Sequence, residues 1–348
     1  MKKQKLLFAT AILVTALGTG SMSQNVKAET AGVTDGAKLI VTKTFPDYVD
    51  SSILMPKLNY KFQITAGDTG IGMKDKSGLE IISGVTAGLT TEQTIAYDNS
   101  VKPSNKSKTA TFDFSKVSFP NVGVYRYNVI EVDEHVEGIT YDTKKWTVDV
   151  YVVEEGGKFI PKYIVSTESG TDKKSILFNN SFKTTSLKVQ KKVTGIAGDK
   201  KQAFKFKLLL VGNDYFVDGQ EVALTKITTG GKESLSAIIG QEYTFELKDN
   251  EQVLLDKLPV GITYKIDEID KNKDNYKTQA TLTKDGGKSV DYTLNADKKT
   301  DFTADTIVVT NTRDIQVPTG VVGTLAPFVA LSIVAIGGVL YITKRKKA

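Results

Sequence analysis

The 348-residue chain contains no cysteine. Disulfides, thiol nucleophiles, thioesters and cysteine metal sites are therefore all excluded. Histidine is nearly absent too. The single one, His135, lies in Val132-Asp133-Glu134-His135-Val136-Glu137. Its acidic neighbours suggest a metal, but with no second histidine and no His-Glu-x-x-His spacing the stretch reads as a solvated loop. A secreted enzyme is accordingly a poor class for this chain. Net charge is lacking as well, despite a formal +6. Residues 1–28 carry four lysines and no acid, and residues 320–348 carry four basic residues and no acid. The segment between them holds 38 basic and 40 acidic side chains. No basic face remains for a nucleic acid, so no nucleic-acid partner is expected. Helical periodicity is missing as well: no stretch between the two ends sustains it over three turns.

The two ends are distinctive. Lys2, Lys3 and Lys5 precede an apolar run from Leu6 to Leu17, and Val26-Lys27-Ala28 offers a small-residue cleavage site. This is the pattern of a signal peptide, residues 1–28, leaving a mature chain from Glu29. The apolar core is short for an uncleaved membrane anchor. At the other end, Gln316-Val317-Pro318-Thr319-Gly320 precedes 22 uncharged, mostly apolar residues, Val321 to Ile342, and then Thr343-Lys344-Arg345-Lys346-Lys347-Ala348. Such a run crosses a hydrocarbon core of about 30 Å as a helix, and the basic tail holds its end in the cytoplasm. By itself this could be an ordinary membrane anchor. Everything between the two ends is then placed outside the cell.

That outer segment reads as β-structure. Lys38 to Phe45, Tyr60 to Ile64, Thr111 to Phe114, Val124 to Val132, Trp146 to Val153 and Ile176 to Asn180 are short β-branched or aromatic runs. A polar, Gly-rich passage from Ala66 to Ser107 is expected to be a long excursion with little regular structure. A second set follows: Leu187 to Val193, Phe204 to Val211, Tyr243 to Leu247, Ile262 to Ile269, Lys277 to Leu282 and Thr306 to Asn311. Strands at this spacing with Gly turns between them predict an all-β chain of two tandem β-sandwiches. The expected division is 29–182 and 183–315, followed by a tail, 316–348.

The halves repeat a sparse pattern. Near the start of each stands Leu-x-Val-x-Lys, ending at Lys43 and at Lys191. Late in each stands Tyr-x-(Val/Ile)-x-Glu, ending at Glu131 and at Glu268. Each half finishes on apolar-x-apolar-x-Asn, at Asn180 and at Asn311. Because a strand repeats every two residues, each polar residue shares a face with two apolar neighbours. One Lys, one Glu and one Asn thus point into each core, where an unpartnered polar group is costly. Snorkelling of the long side chains at strand ends is the alternative. The chemical reading is a cross-link. Burial favours a neutral, nucleophilic Lys amine and a protonated Glu. The acid polarises the Asn side-chain carbonyl, the amine attacks, and ammonia leaves. Holding the groups together lets the reaction run once without a separate enzyme. The predicted bonds are Lys43–Asn180, assisted by Glu131, and Lys191–Asn311, assisted by Glu268.

The order pentapeptide, apolar span and basic tail resembles the cell-wall sorting signal of Gram-positive surface proteins. Gly36-Ala37-Lys38-Leu39, Leu258-Pro259-Val260-Gly261 and Val317-Pro318-Thr319-Gly320 further resemble the streptococcal major (backbone) pilins of the T-antigen type, from residue 29 to the end. The usual signal has Leu-Pro-x-Thr-Gly, whereas here Pro318 directly precedes Thr319. The resemblance implies two Ig-like domains of the Cna B type, each with a Lys–Asn isopeptide and an assisting Glu. It also implies that a pilin-class sortase cuts between Thr319 and Gly320 and joins Thr319 to a lysine of the next subunit. In that family the linking lysine lies seven residues before the bonded Asn, which lands on Lys173, with Lys174 adjacent. Lys162, in Ile160-Pro161-Lys162, is similar to the Tyr-Pro-Lys pilin motif and is a third candidate. The implied partners are other copies of the chain, the sortase, minor tip and base pilins and peptidoglycan, at the cell wall, with no cofactor and an unspecified host receptor. A wall-anchored adhesin that does not polymerise is the competing reading; an SDS-resistant ladder of the extracted protein separates the two.

Overall fold

The computed structural model describes residues 31–314, apart from Lys76 and residues 169–171. The expected leader, the pentapeptide with Thr319 and Gly320, the apolar span and the basic tail lie outside the described residues. What is described is almost wholly β-strand, in two sandwiches with separate cores.

The first sandwich packs a large sheet on a small one. In the large sheet the strands run Val33–Asp35, Lys158–Glu168, Lys145–Glu155, Gly123–Glu131, Leu58–Ala66, Glu92–Tyr97, with Ile81–Ser83 and Asp172–Lys173 attached beside this path. The small sheet places Lys38–Thr44 between Ile176–Asn179 and Lys108–Asp113. Alternation of buried and open positions along Lys38–Thr44 and Leu58–Ala66 drives the stacking, since the apolar face of each sheet is covered only by the other. Phe45, Tyr60, Phe62, Tyr97, Tyr127 and Phe178 fill the space between.

In the second sandwich the order is Gly231–Ile238, Glu221–Thr228, Gln252–Pro259, Thr184–Thr194, Asp305–Thr312, Lys277–Lys284, Val290–Asp291. The facing sheet is Glu242–Leu247, Phe204–Val211, Thr263–Glu268, Lys298–Lys299. Leu187, Val189, Phe206, Leu255, Ile266 and Val309 lie at its centre.

In both sandwiches the first long strand and the last are hydrogen-bonded neighbours and run parallel. Phe178 stands opposite Lys43, and Val309 stands opposite Lys191. The asparagine lies two residues further on in each case, one diagonal step from the lysine. The glutamate strand belongs to the facing sheet, where Phe62 pairs with Glu131 and Phe206 with Glu268. This shared register is what brings three distant residues together twice.

One expectation needs correction. The passage from Ala66 to Ser107 is not without regular structure: Glu92–Tyr97 closes the edge of the large sheet against Leu58–Ala66, and Ile81–Ser83 pairs with Gly123–Glu131. Only Ile95 and Tyr97 are buried in that edge strand, so its sequence carries little apolar signal. Asn128, on the face of Gly123–Glu131 turned away from the core, is buried as well. At the junction, Lys257 is paired with Asp50 and donates to Ser52 Oγ at 2.8 Å. Lys299 lies 2.6 Å from Glu137, and the Lys57 N–H donates to the Tyr215 carbonyl.

Candidate functional site

Lys43 and Lys191 are both fully buried, at 0% exposure, which rules out snorkelling. Lys43 Nζ lies 2.7 Å from Glu131 Oε1. Asn180 Nδ2 donates to the same oxygen at 2.9 Å. In the second sandwich Lys191 Nζ donates to Glu268 Oε2 at 2.8 Å, and Asn311 Nδ2 donates to Glu268 Oε1 at 2.5 Å. Each glutamate therefore bridges its lysine and its asparagine, the position a proton carrier between them requires, and it meets the amide nitrogen rather than the carbonyl oxygen it was expected to polarise. All six residues are buried.

Aromatic rings complete the enclosure, and inspection of the sequence did not single them out. Lys43 Nζ sits 4.3 Å from the Tyr60 ring centre and 5.1 Å from that of Phe45. Lys191 Nζ sits 4.2 Å from Phe204 and 5.8 Å from Phe206. The signal was present: Tyr60-Lys61-Phe62 and Phe204-Lys205-Phe206 repeat an aromatic-Lys-Phe pattern. The first aromatic lies over the amine and the second stands opposite the glutamate.

This dry setting shifts the acid–base balance toward reaction. Burial lowers the Lys43 and Lys191 amines to about 8, with the paired glutamate opposing the shift in each site. Burial also raises Glu131 above the usual carboxylate range, against the pull of Lys43. The reactive form, neutral amine beside protonated acid, holds the same number of protons as the ion pair. The rate of bond formation in the first sandwich is thus expected to be level at intermediate pH. It should fall in acid as the glutamate of the pair is protonated and the amine stays charged. It should fall again above about pH 8 as the pair loses its shared proton. Timing cross-link formation in freshly synthesised chain across pH checks this; a rate rising steadily beyond pH 9, about one unit past that amine value, would contradict it.

The adjacent amides Asn179 and Asn180 are told apart by burial. Asn180 is buried, whereas Asn179 is exposed, and only Asn180 touches Glu131. Asp142, which the sequence gave no reason to choose, contacts both. Its N–H donates to Asn180 Oδ1 at 3.0 Å, and its Oδ2 accepts the Asn179 N–H at 2.8 Å.

The lysines considered for intermolecular linkage are all on the surface of the first sandwich. Lys173 is exposed in the short strand Asp172–Lys173, paired with Thr167. Lys174 Nζ lies 3.4 Å from Glu168, and Lys162 Nζ lies 2.7 Å from Glu155. His135 is exposed between strands, its Nδ1 3.3 Å from Asp133.

Comparison with known proteins places this geometry. Residues 39–183 match a family described as "Spy0128-like isopeptide containing domain", and residues 185–313 match a domain of unknown function, DUF7601. A curated pilin of Streptococcus pyogenes serotype M1 is 39% identical over the full length of both chains. A pilus tip adhesin, Cpa, of S. pyogenes is 29% identical over 47% of this chain and 22% of its own. Among solved structures, the major pilin T3.2 of S. pyogenes is 54% identical, with a TM-score of 0.77 over 82% of this chain and all of its own. Another S. pyogenes major pilin is 35% identical, with a TM-score of 0.75 over 81% of this chain and all of its own. With full-length identity at this level and the fold shared, the chain belongs to the streptococcal major pilin family.

Proposed function

We propose that the chain is the repeating subunit of a covalent surface fibre. In this reading each sandwich, 29–182 and 183–315, seals itself with one Lys–Asn isopeptide bond. A pilin-class sortase joins Thr319 of one copy to a lysine of the next, and minor pilins and the peptidoglycan hold the two ends of the fibre. The observation that carries it is the repeated triad, in which both halves of the chain bury Lys, Glu and Asn in the same register. Coincidental snorkelling would not produce that twice.

The reaction needs only this chain's own groups. The neutral Lys43 amine attacks Cγ of Asn180. The protonated Glu131 gives its proton to Nδ2 and takes up the proton the amine sheds, the Cγ–Nδ2 bond breaks, and ammonia departs, leaving Glu131 in its starting state. Lys191, Glu268 and Asn311 follow the same course. Each event removes one ammonia.

Intact-mass measurement of the recombinant mature chain tests this. Wild type is expected to be lighter than its sequence by two ammonias. Glu131→Ala and Glu268→Ala should each restore one, and the double variant both. A wild-type mass equal to the sequence would end the proposal.

A further inference from the structure

The two triads differ at the asparagine carbonyl. In the second sandwich Asn311 Oδ1 is buried with no hydrogen-bond donor among the described residues. In the first, Asn180 Oδ1 accepts the Asp142 N–H at 3.0 Å, and the same N–H lies 3.3 Å from Glu131 Oε2. A carbonyl oxygen under attack gains negative charge, and a fixed donor aimed at it stabilises that charge more than it stabilises the starting amide.

We propose that Asp142 is a positioning residue for bond formation in the first sandwich, its backbone N–H serving as the donor to the developing oxyanion on Asn180. The inference rests on the isopeptide reading above. When Lys43 Nζ bonds to Cγ, the carbonyl π-pair moves onto Oδ1, where the Asp142 N–H meets it. When the C=O re-forms, Nδ2 takes its proton from Glu131 and leaves as ammonia.

The Asp142 side chain shows how this N–H is held in place. It is nearly buried, at 7% exposure. Its Oδ2 accepts the Asn179 N–H at 2.8 Å, and its Oδ1 accepts the Lys144 N–H at 3.0 Å. Lys144 Nζ, 3.1 Å away, closes the carboxylate's remaining side. The carboxylate therefore ties residue 142 to the backbone immediately before Asn180, fixing the amide of one against the carbonyl of the other. A loop 38 residues away in sequence is locked to the reacting group at both of its polar ends.

The second sandwich, which lacks this donor, is an internal standard in every molecule. The full chain is made by cell-free translation, samples are denatured at intervals, and cross-linked peptides are counted at each site. Protease resistance of each sandwich is followed in parallel. The main variant replaces the amide of residue 142 by an ester, through the α-hydroxy analogue of aspartate, which removes the N–H and keeps the side chain. Loss of one such donor is expected to slow the Lys43–Asn180 bond by about 100-fold, with Lys191–Asn311 and the onset of protease resistance unchanged. Asp142→Ala keeps the N–H but frees it, and should slow the same bond by a smaller factor, on the order of 10-fold. An ester variant that cross-links its first sandwich at the wild-type rate would overturn the role of Asp142. Absence of the Lys43–Asn180 bond from wild type itself would instead overturn the isopeptide reading.

Discussion

Stretched between residues 31 and 314 in a single-molecule pulling experiment, the wild-type chain is expected to release neither of its sandwiches. Tension entering the first strand reaches Lys43, crosses to Asn180, follows the linker into Thr184–Thr194, and crosses again from Lys191 to Asn311. Residues 44–179 and 192–310 lie outside that covalent path. The parallel pairing of first and last strands makes this possible, because it sets the lysine and asparagine of each proposed bond one diagonal step apart. Antiparallel neighbours joined by a hairpin would enclose only a few residues. Glu268→Ala should add one unfolding step and Glu131→Ala another. At about 3.6 Å per extended residue, each would lengthen the chain by roughly 400–500 Å. Wild type showing such a step would refute the bridged path.

The proposed bonds would also act on thermal stability, through the unfolded chain. Closing a loop of more than a hundred residues is worth about 5 kcal/mol if disulfide loop entropy is a fair guide. For a sandwich of this size that corresponds to a loss of about 15 °C in Tm in either glutamate variant. The variant also leaves a buried lysine without its carboxylate, which adds to the loss.

Some of this arrangement was legible in the sequence and some was not, for physical reasons. Lys43, Glu131, Asn180 and their counterparts could be found because a period of two fixes the face on which a strand residue points. Repetition then turned six individually weak signals into one. Glu92–Tyr97 escaped because it needs apolar residues at only two positions. Gly231–Ile238 escaped because an edge strand, here with its first four residues exposed, has no core face to write into the sequence. Lys158–Glu168 is interrupted at Pro161, where the register with its neighbour shifts, as a residue lacking an N–H requires. Asp142 left no trace, since the donor proposed for it is a backbone N–H and no motif marks the carboxylate that holds that N–H in place.

Lys173→Ala is expected to abolish polymer formation when the chain is expressed with its cognate sortase, while Lys174→Ala and Lys162→Ala leave a ladder. In the proposed linkage the acceptor attacks a sortase-bound Thr319 as a free amine, so an acidic partner that holds the lysine charged would work against it. Lys162 has such a partner: Glu155, 2.7 Å away, raises its pKa above the ordinary lysine value. Lys174 is pinned at both ends. Its backbone N–H donates to the Ser166 carbonyl and its own carbonyl accepts from Ser166 Oγ at 2.6 Å, while Nζ faces Glu168. Lys173 Nζ has no ion-pair partner among the described residues, and its side chain is exposed. It also stands on a segment that runs directly into Ile176–Asn179 and Asn180. Load arriving at Lys173 from a neighbouring copy would thus pass along seven residues to Asn180, on through Thr184–Thr194 to Lys191, and across to Asn311. Most of the first sandwich would then carry no tension in the fibre, and its Lys43–Asn180 bond would serve to keep the loaded strand from peeling away. A Lys173→Ala strain that still builds a full SDS-resistant ladder would move the acceptor to Lys174 or Lys162 and take this load path with it.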